Sequence, residues 1–401
     1  MRAIRDDGAH HTINRGMTRI GFTYNLKPDL PAGAGPDEPA SEVTAADDEP
    51  PSIEGGRDRP SHAAPAVAEA PVPDDEFAEW DTRETIDAVA GALGAFGTVV
   101  PLEATHDLPE RLRRARVDIV FNIAEGLGGK NREALVPAIC EFYGIPYSGS
   151  DPLALALCLD KGRTKEVLSH HGIPTAPFVV VESADDDVAL ALDLPLFVKP
   201  VHEGSSKGIT ERSFCQTREE LRSQVAFLIE TYAQPVVVEQ YLPGAEFTCA
   251  VLGNGPSAYV LPIVGMNFDA LPPGAVPVYG FEAKWVWDRP DAPLEIFDCP
   301  ARIPEALQRS IERVTLRAYR ALACRDWSRI DIRLDAQGVP NVVEVNPLPG
   351  ILPDPSDNSC FPKAARAAGI SYEELIQTVL TLAAERQHVP LAGRRAGHAA
   401  P

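Results

Sequence analysis

Apolar residues along this chain recur with two different periods, and the order in which the periods appear predicts the architecture. GFTY within TRIGFTYNLK (18–27) is strand-like and marks the start of the folded part. FAEWDTRETIDAVAGALGAFG (77–97) has the spacing of an amphipathic helix and stops at Gly97. TVVPLEA (98–104) and VDIVFNIAEG (117–126) read as short buried strands, and ALVPAICEFYG (134–144) as a helix leading into IPYSGS (145–150). Strands alternating with helices predict a parallel sheet, with its ligand edge at the C-terminal ends of the strands.

A second unit starts near Asp151, with helical pattern over 152–171, strands at 177–181 and 194–200, and a helix at 217–233. VVVEQYL (236–242) then leads into a third unit of antiparallel character. Its strands are expected at 246–253, 329–335 and 339–346, and its helices at 304–323 and 371–386. The expected organisation is a flexible extension 1–17, an N-terminal domain 18–150, a central subdomain 151–240, a C-terminal subdomain 241–387 and a flexible tail 388–401. The fold class is α/β, with no internal repeat.

One segment breaks the pattern. Residues 28–76 are dense in Pro, Ala, Asp and Glu and have hardly any large apolar side chain, so they cannot bury enough surface to offset their ordering entropy. They are read as a disordered, solvated insert in the first strand-to-helix connection. Much of the formal net charge of −21 sits there, and that charge argues against nucleic acid or an anionic membrane as a general partner. No run is apolar for long enough to cross a bilayer, and MRAIRDDGAHH lacks the apolar core of a signal peptide, with Met17 an alternative start. Seven cysteines without a C-x-x-C pair read as reduced thiols. The expectation is a soluble cytoplasmic protein.

Candidate chemistry begins with VEVNPLPG (343–350). Glu344 and Asn346 interrupt a valine strand and point to one face of it. SRIDIRLD alternates so that Arg329, Asp331 and Arg333 share a face, and the turn at LDAQG predicts that the two strands form a hairpin. Asp331, Glu344 and Asn346 then converge as hard oxygen donors of the kind that suits Mg²⁺. The alternative is a surface face whose carboxylates merely pair with Arg329 and Arg333. In FVKPVHEGSSKGI (197–209), Gly204 and Gly208 let backbone amides approach phosphate oxygens, and Ser205 and Ser206 add hydroxyls, although this is not a Walker A loop. Lys199 lies in an otherwise apolar run and needs an anion. EQYLPGAEFT (239–248) offers Glu239, Tyr241, Leu242 and Glu246 as an adenine and ribose site, or else a charged loop between strands.

In this order the motifs resemble the ATP-grasp superfamily, and specifically the D-alanine–D-alanine ligase family, over roughly residues 117–386. IPYSGSDPLALALCLDK, FVKPVHEGSS, EQYLPGAEFT, FEAKWVW, SRIDIRLD and EVNPLPG carry the resemblance. It implies an N-terminal Rossmann-like domain, a small central lid and a mainly antiparallel catalytic subdomain. It further implies that Lys161 and Lys199 hold the ATP phosphates and that Lys284, on a covering loop, reaches the γ-phosphate. Glu239, Tyr241 and Leu242 would line the adenine pocket, with Glu246 on the ribose and Ser206 also on the ATP side. Asp331, Glu344 and Asn346 would bind two Mg²⁺ ions, with Mn²⁺ as a substitute. Arg329 and the Gly350 backbone would stabilise the oxyanion, Ser205 would keep its place in the site, and Ser359 with Cys360 would meet the second substrate. A homodimer is suggested by the resemblance alone.

Three departures fall on the amino-substrate side. The family's Gly-rich turn and glutamate after the first strand are replaced by the insert, leaving Glu79, Asp81 or Glu84 as candidates. Its His-Gly motif becomes Ala124-Glu125-Gly126, and its loop tyrosine becomes Trp285. The expected function is an ATP-dependent carboxylate–amine ligase working through an acyl phosphate, with an altered amino-substrate pocket. The alternatives are an authentic cell-wall D-alanine–D-alanine ligase and a catalytically silent ATP-binding protein.

Overall fold

The computed structural model of the chain describes residues 17–28, 77–184, 186, 191–280, 282–288 and 294–392. The expected insert 28–76, all but the last residue of the extension 1–17, and residues 393–401 of the tail lie essentially outside the described residues.

The first sheet is parallel, in the order β2 (Gly97–Glu103), β1 (Thr18–Tyr24), β3 (Ile119–Asn122). As the middle strand, β1 is buried at every position but Arg19, which explains its short apolar run. Helix α1 (Arg83–Leu93) is shorter than its periodicity predicts. Thr82 caps it by accepting from Thr85 N at 3.3 Å, and Gly97 already belongs to β2. α2 (Leu108–Ala115), absent from the sequence reading, follows β2. α3 (Leu135–Tyr143) follows β3 and ends at Gly144 in the left-handed region.

The expected helix at 152–171 is two helices, α4 (Pro152–Leu159) and α5 (Lys161–His170). Asp160 is extended between them, and its side chain accepts from Arg163 N at 2.9 Å. The break makes Lys161 the first residue of a new helix. The second sheet is antiparallel, in the order β4 (Phe178–Val181), β7 (Val236–Gln240), β5 (Leu196–Pro200), β6 (Phe214–Cys215). It is backed by α6 (Arg218–Tyr232), which starts with a Thr217–Glu220 capping box.

The third sheet runs β11 (Phe297–Asp298), β10 (Val264–Met266), β8 (Glu246–Leu252), β12 (Trp327–Leu334), β13 (Pro340–Asn346), with β9 (Tyr259–Val260) also on β8. The predicted hairpin is present: Asp331 faces Glu344, and Arg329 faces Asn346. α7 (Glu305–Ala321) covers one side of this sheet. α8 (Cys360–Ala367), which the sequence reading missed, and α9 (Tyr372–Arg386) belong to the core shared with α1 and β1.

Trp327 is wholly buried and meets Phe121 and Phe361 edge-on, each with ring centroids 5.8 Å away, so it ties the first sheet to the third and to α8. The neighbouring Asp326 is also fully buried. It accepts from Gly149 N at 2.8 Å and from Arg386 Nη2 at 2.7 Å, which pins IPYSGS against α9. The chain stays attached beyond the expected tail boundary: Val389 N donates to Ala384 O, and Ala392 N to Thr18 Oγ1 at 2.9 Å.

Candidate active site

One cavity of about 760 Å³ is lined by strands of the second and third sheets and by the connections that follow β1 and β3. Of the sequence-predicted site residues Gly208 does not line it, whereas Gly204, the catalytic, nucleotide, metal and substrate candidates, and Asp81 and Glu84 all border it. At one end Phe197, Ile209, Leu242, Met266 and Val278 provide apolar walls. Tyr241 stands there edge-on to Phe214, and its hydroxyl accepts from Arg333 Nη2 at 2.7 Å. Arg333 Nη1 also donates to Glu246 Oε2 at 2.7 Å, and its guanidinium lies over the Tyr241 ring. Glu246 therefore has one oxygen committed to Arg333. Burial, only partly offset by Arg333, raises its pKa.

Glu239 is not a free acceptor. Lys199 Nζ lies 2.8 Å from its Oε1, and Lys165 Nζ lies 2.6 Å from its Oε2 as a close ion pair without hydrogen-bond alignment. All three side chains are almost fully buried. Burial alone would raise the Glu239 pKa, but the two ammoniums hold the carboxyl down at about 2. The Lys199 ammonium is favoured, because Glu239 and Glu344 outweigh its burial, whereas burial wins at Lys165 and lowers its pKa. The sequence reading missed Lys165. Its signal was the four-residue spacing from Lys161, which places both on one side of α5.

The hairpin gathers the oxygen donors. Asp331 accepts from Thr248 Oγ1 at 2.9 Å, from Arg329 Nη2 at 3.1 Å and from Asn346 Nδ2 at 3.5 Å. Lys161 Nζ lies 2.9 Å from Glu344 Oε1 and also donates to Glu203 O. Lys161, Lys199 and Arg329 together overcome burial and hold the Glu344 carboxyl at about 2. Asp331 and Glu344, facing each other with Asn346 one pleat away, form a hard-oxygen donor set that fits a divalent cation bridged to phosphate. Among the described residues no group of three or more His, Cys, Asp or Glu side chains is placed to hold a metal without such help.

The Gly- and Ser-rich loop after β5 keeps an unusual backbone. Ser205 and Ser206 have φ of 50° and 63°, in the left-handed region that non-glycine residues seldom occupy. Ser206 Oγ donates to Tyr279 O at 3.2 Å, linking this loop to the covering segment. Within that segment, Glu282–Trp287 is a π-helical turn that carries Lys284. Burial and the nearby Arg329 push the Lys284 ammonium down to about 8. The side chain of Trp285 lies outside the described residues. Asp288 anchors the segment by accepting from Asn358 Nδ2 at 2.7 Å and from Tyr279 OH at 3.1 Å.

Gly350 and Ser359 face each other across the loop after β13. Ser359 Oγ accepts from Leu352 N at 3.1 Å and donates to Gly350 O at 3.4 Å, so the hydroxyl shapes the loop. Cys360 opens α8 beside it, and burial pushes its thiol up to about 12. At this end the carboxylates are unevenly partnered. Glu79 accepts from Arg132 Nη2 at 2.7 and 2.9 Å and lies 2.9 Å from Lys207 Nζ; these two cations outweigh its burial and lower its pKa. Glu125 and Glu133 border the same cavity, and among the described residues no hydrogen bond or ion pair reaches either carboxyl. Burial raises both, Glu133 to about 8. Arg132, Glu133 and Lys207 were not singled out by the sequence reading.

Residues 167–381 match the family model described as D-ala D-ala ligase C-terminus. A D-alanine–D-alanine ligase of Bordetella petrii is 36% identical over 281 residues, covering 70% of this chain and 80% of the relative. A D-alanine–D-alanine ligase of Desulforudis audaxviator is 34% identical over 304 residues, covering 75% and 92%. The crystal structure of a D-alanine–D-alanine ligase from Bacillus anthracis complexed with ATP superposes with a TM-score of 0.63. That match covers 93% of this chain and 99% of the other at 22% identity, a likeness that speaks for the fold.

Proposed function

Given that the chain belongs to the D-alanine–D-alanine ligase family and is an ATP-dependent carboxylate–amine ligase, we propose that its cavity activates an amino-acid carboxylate as an acyl phosphate and passes it to an amine. D-alanine is the first candidate for both substrates, since the relatives are named for it. The supporting observation is that Lys161, Lys199, Lys284 and Arg329 share one cavity with the oxygen donors Asp331, Glu344 and Asn346.

A carboxylate is a poor electrophile until a phosphoryl group gives it a leaving group. Lys161 and Lys199 are placed to hold the ATP phosphates, and Lys284 to neutralise charge as the γ-phosphoryl leaves. Tyr241, Leu242 and Glu246, with Glu239 steadying the two lysines behind them, form the nucleoside end, and Ser205 and Ser206 aim the loop amides. Asp331, Glu344 and Asn346 would hold Mg²⁺, or Mn²⁺ in its place, which supplies charge neutralisation on the phosphates. Arg329 and the Gly350 backbone then face the oxyanion formed when the amine attacks. Ser359, Cys360, Glu125 and Glu79 border the space left for the amino substrates. The covering segment around Lys284 would keep water from the acyl phosphate.

A phosphate-release screen over D- and L-amino acids and other amines, with products identified by mass spectrometry, tests this reading. Release that depends on both an acid and an amine supports it, and silence across the panel overturns it. A second reading, that the pair joined is not two D-alanines, draws on the way Glu79 is engaged by Arg132 and Lys207; D-alanine supplied alone separates the two. A homodimer rests on family likeness and is checked by the molar mass in solution, measured by light scattering.

A further inference from the structure

Arg333 borders the nucleoside end of the cavity, is only 6% exposed, and takes no part in holding phosphate or metal. It stands on β12 opposite Glu246 of β8, so the two side chains meet across neighbouring strands. Its Nη1 donates to Glu246 Oε2 at 2.7 Å. Its Nη2 donates to Tyr241 OH at 2.7 Å and to Pro277 O at 2.9 Å. The guanidinium also lies over the rings of Tyr241 and Phe268, 4.8 and 5.3 Å from their centroids. One side chain thus joins β8, the end of β7, the turn after β10 and the approach to the covering segment.

Burying a guanidinium is costly, and an apolar residue would wall a base pocket without that cost. What the planar fork supplies instead is direction. With Glu246 Oε2 committed to Arg333, Oε1 is left to accept, and among the described residues no hydrogen bond or ion pair reaches it. With the Tyr241 oxygen accepting from Arg333, its own O–H proton is left to donate, and among the described residues it meets no acceptor. Both side chains border the cavity. Together they present one acceptor and one donor, the complement of two neighbouring hydroxyls, each of which can donate or accept. Their place in the cavity fits a sugar. The apolar walls Phe197, Leu242 and Met266 lie at this end, while the other charged neighbours of Glu246 are Asp331 and Lys199, which belong to the metal and phosphate side. In a nucleotide, the ribose stands between the base and the phosphates in the same way.

We propose that Arg333 is a positioning residue for the nucleotide: it turns Glu246 Oε1 and the Tyr241 hydroxyl toward the ribose, so that the protein selects a sugar carrying both hydroxyls. The inference rests on the nucleoside end assigned above and deepens it. Because the same fork holds Pro277 O, the sugar is read by a pocket to which the approach of the covering segment is tied.

The test is nucleotide binding to the full-length protein, measured by titration calorimetry with Mg²⁺ and without amino acids. ATP is compared with 2′-deoxy-ATP and 3′-deoxy-ATP, and with inosine triphosphate, which alters the base and leaves the sugar intact. Wild type is expected to bind ATP about 10- to 100-fold more tightly than either deoxy form, in line with one charge-assisted hydrogen bond. Arg333→Met keeps the stem and removes the fork. It is expected to weaken ATP by about 10-fold and to bring the ATP to deoxy-ATP ratio within about threefold, while the ATP to inosine triphosphate ratio moves by less than about twofold. A side chain that only supported the fold would weaken every nucleotide alike. Arg333→Lys keeps the charge without the planar fork and should fall between wild type and Arg333→Met; it carries the test if the methionine variant does not fold. Glu246→Gln should lose the same preference, and combining it with Arg333→Met should add little, as for two groups that act as one. An unchanged ATP to deoxy-ATP ratio in the Arg333 variants overturns the proposal, as does a wild type that binds both deoxy forms as tightly as ATP. A wild type that binds no nucleotide overturns the nucleoside-end assignment along with it. One that binds ATP with this selectivity but releases no phosphate in the substrate screen removes only the carboxylate-activation reading.

Discussion

Lys161 Nζ lies 2.9 Å from Glu344 Oε1, joining the first residue of α5 to the C-terminal end of strand β13 across the cavity. This pair couples a cation placed for phosphate to a carboxylate placed for metal. Glu344→Gln is predicted to lower ATP-dependent phosphate release by about 10²- to 10³-fold, the scale of removing one preorganised electrostatic group. Undiminished release in a variant with wild-type circular dichroism would sink the role assigned to Glu344.

Chelation gives a second check on the same donor set. EDTA is predicted to abolish phosphate release, and added Mg²⁺ or Mn²⁺ to restore it. Asp331→Asn should raise the metal concentration needed for half-maximal rate, and a metal requirement identical to wild type would argue against Asp331 as a ligand.

The buried Glu239 cluster predicts acid sensitivity. Both Glu239 and Glu344 have carboxyls depressed to about 2, against 4.5 for an ordinary glutamate. A depressed carboxyl contributes stability that is complete above about 4.5 and is lost as the pH falls through about 2. Urea unfolding between pH 5 and 2 should therefore show a steep loss in wild type and a shallower one in Glu239→Gln. At neutral pH the same variant, which leaves Lys165 and Lys199 unpaired, should be less stable by about 3–5 kcal/mol.

Lys284 predicts a basic limb in activity. Its ammonium is lowered to about 8, so above that pH the free enzyme increasingly carries a neutral amine where the γ-phosphoryl is expected. kcat/KM for ATP should fall as pH rises through about 8, and Lys284→Arg should move this limb out of range. A flat profile from pH 7 to 9 in wild type would contradict the role.

Asp288 holds the covering segment to the loop after Gly350 through Asn358. Asp288→Ala should loosen that closure and let water reach the acyl phosphate. The ratio of phosphate released to amide formed would then rise above one. A ratio that stays at one would assign Asp288 to stability alone.

Much of the site was legible along the chain because strands repeat every two residues. VEVN and SRIDIRLD place Asp331, Glu344 and Asn346 on one face by alternation alone, and the turn between them dictates the hairpin. Lys199 announced itself as an ammonium inside an apolar strand. Helix limits were less readable, since Thr82 and Asp160 act through caps that depend on backbone geometry. Short β6, β9, β10 and β11 carry too few residues to show any period.

The sequence by itself determined the order of elements and which residues carry charge into apolar surroundings, because both are local patterns. The tertiary structure decided who partners whom. Glu239 became a clamp for Lys165 and Lys199, Glu79 was bound by Arg132 and Lys207, and Glu133 was left without a partner. Those outcomes, stated among the described residues, depend on distances between segments far apart in the chain and on how deeply each group is buried. Since burial and pairing oppose each other at every one of these carboxyls, only the folded arrangement settles which effect prevails.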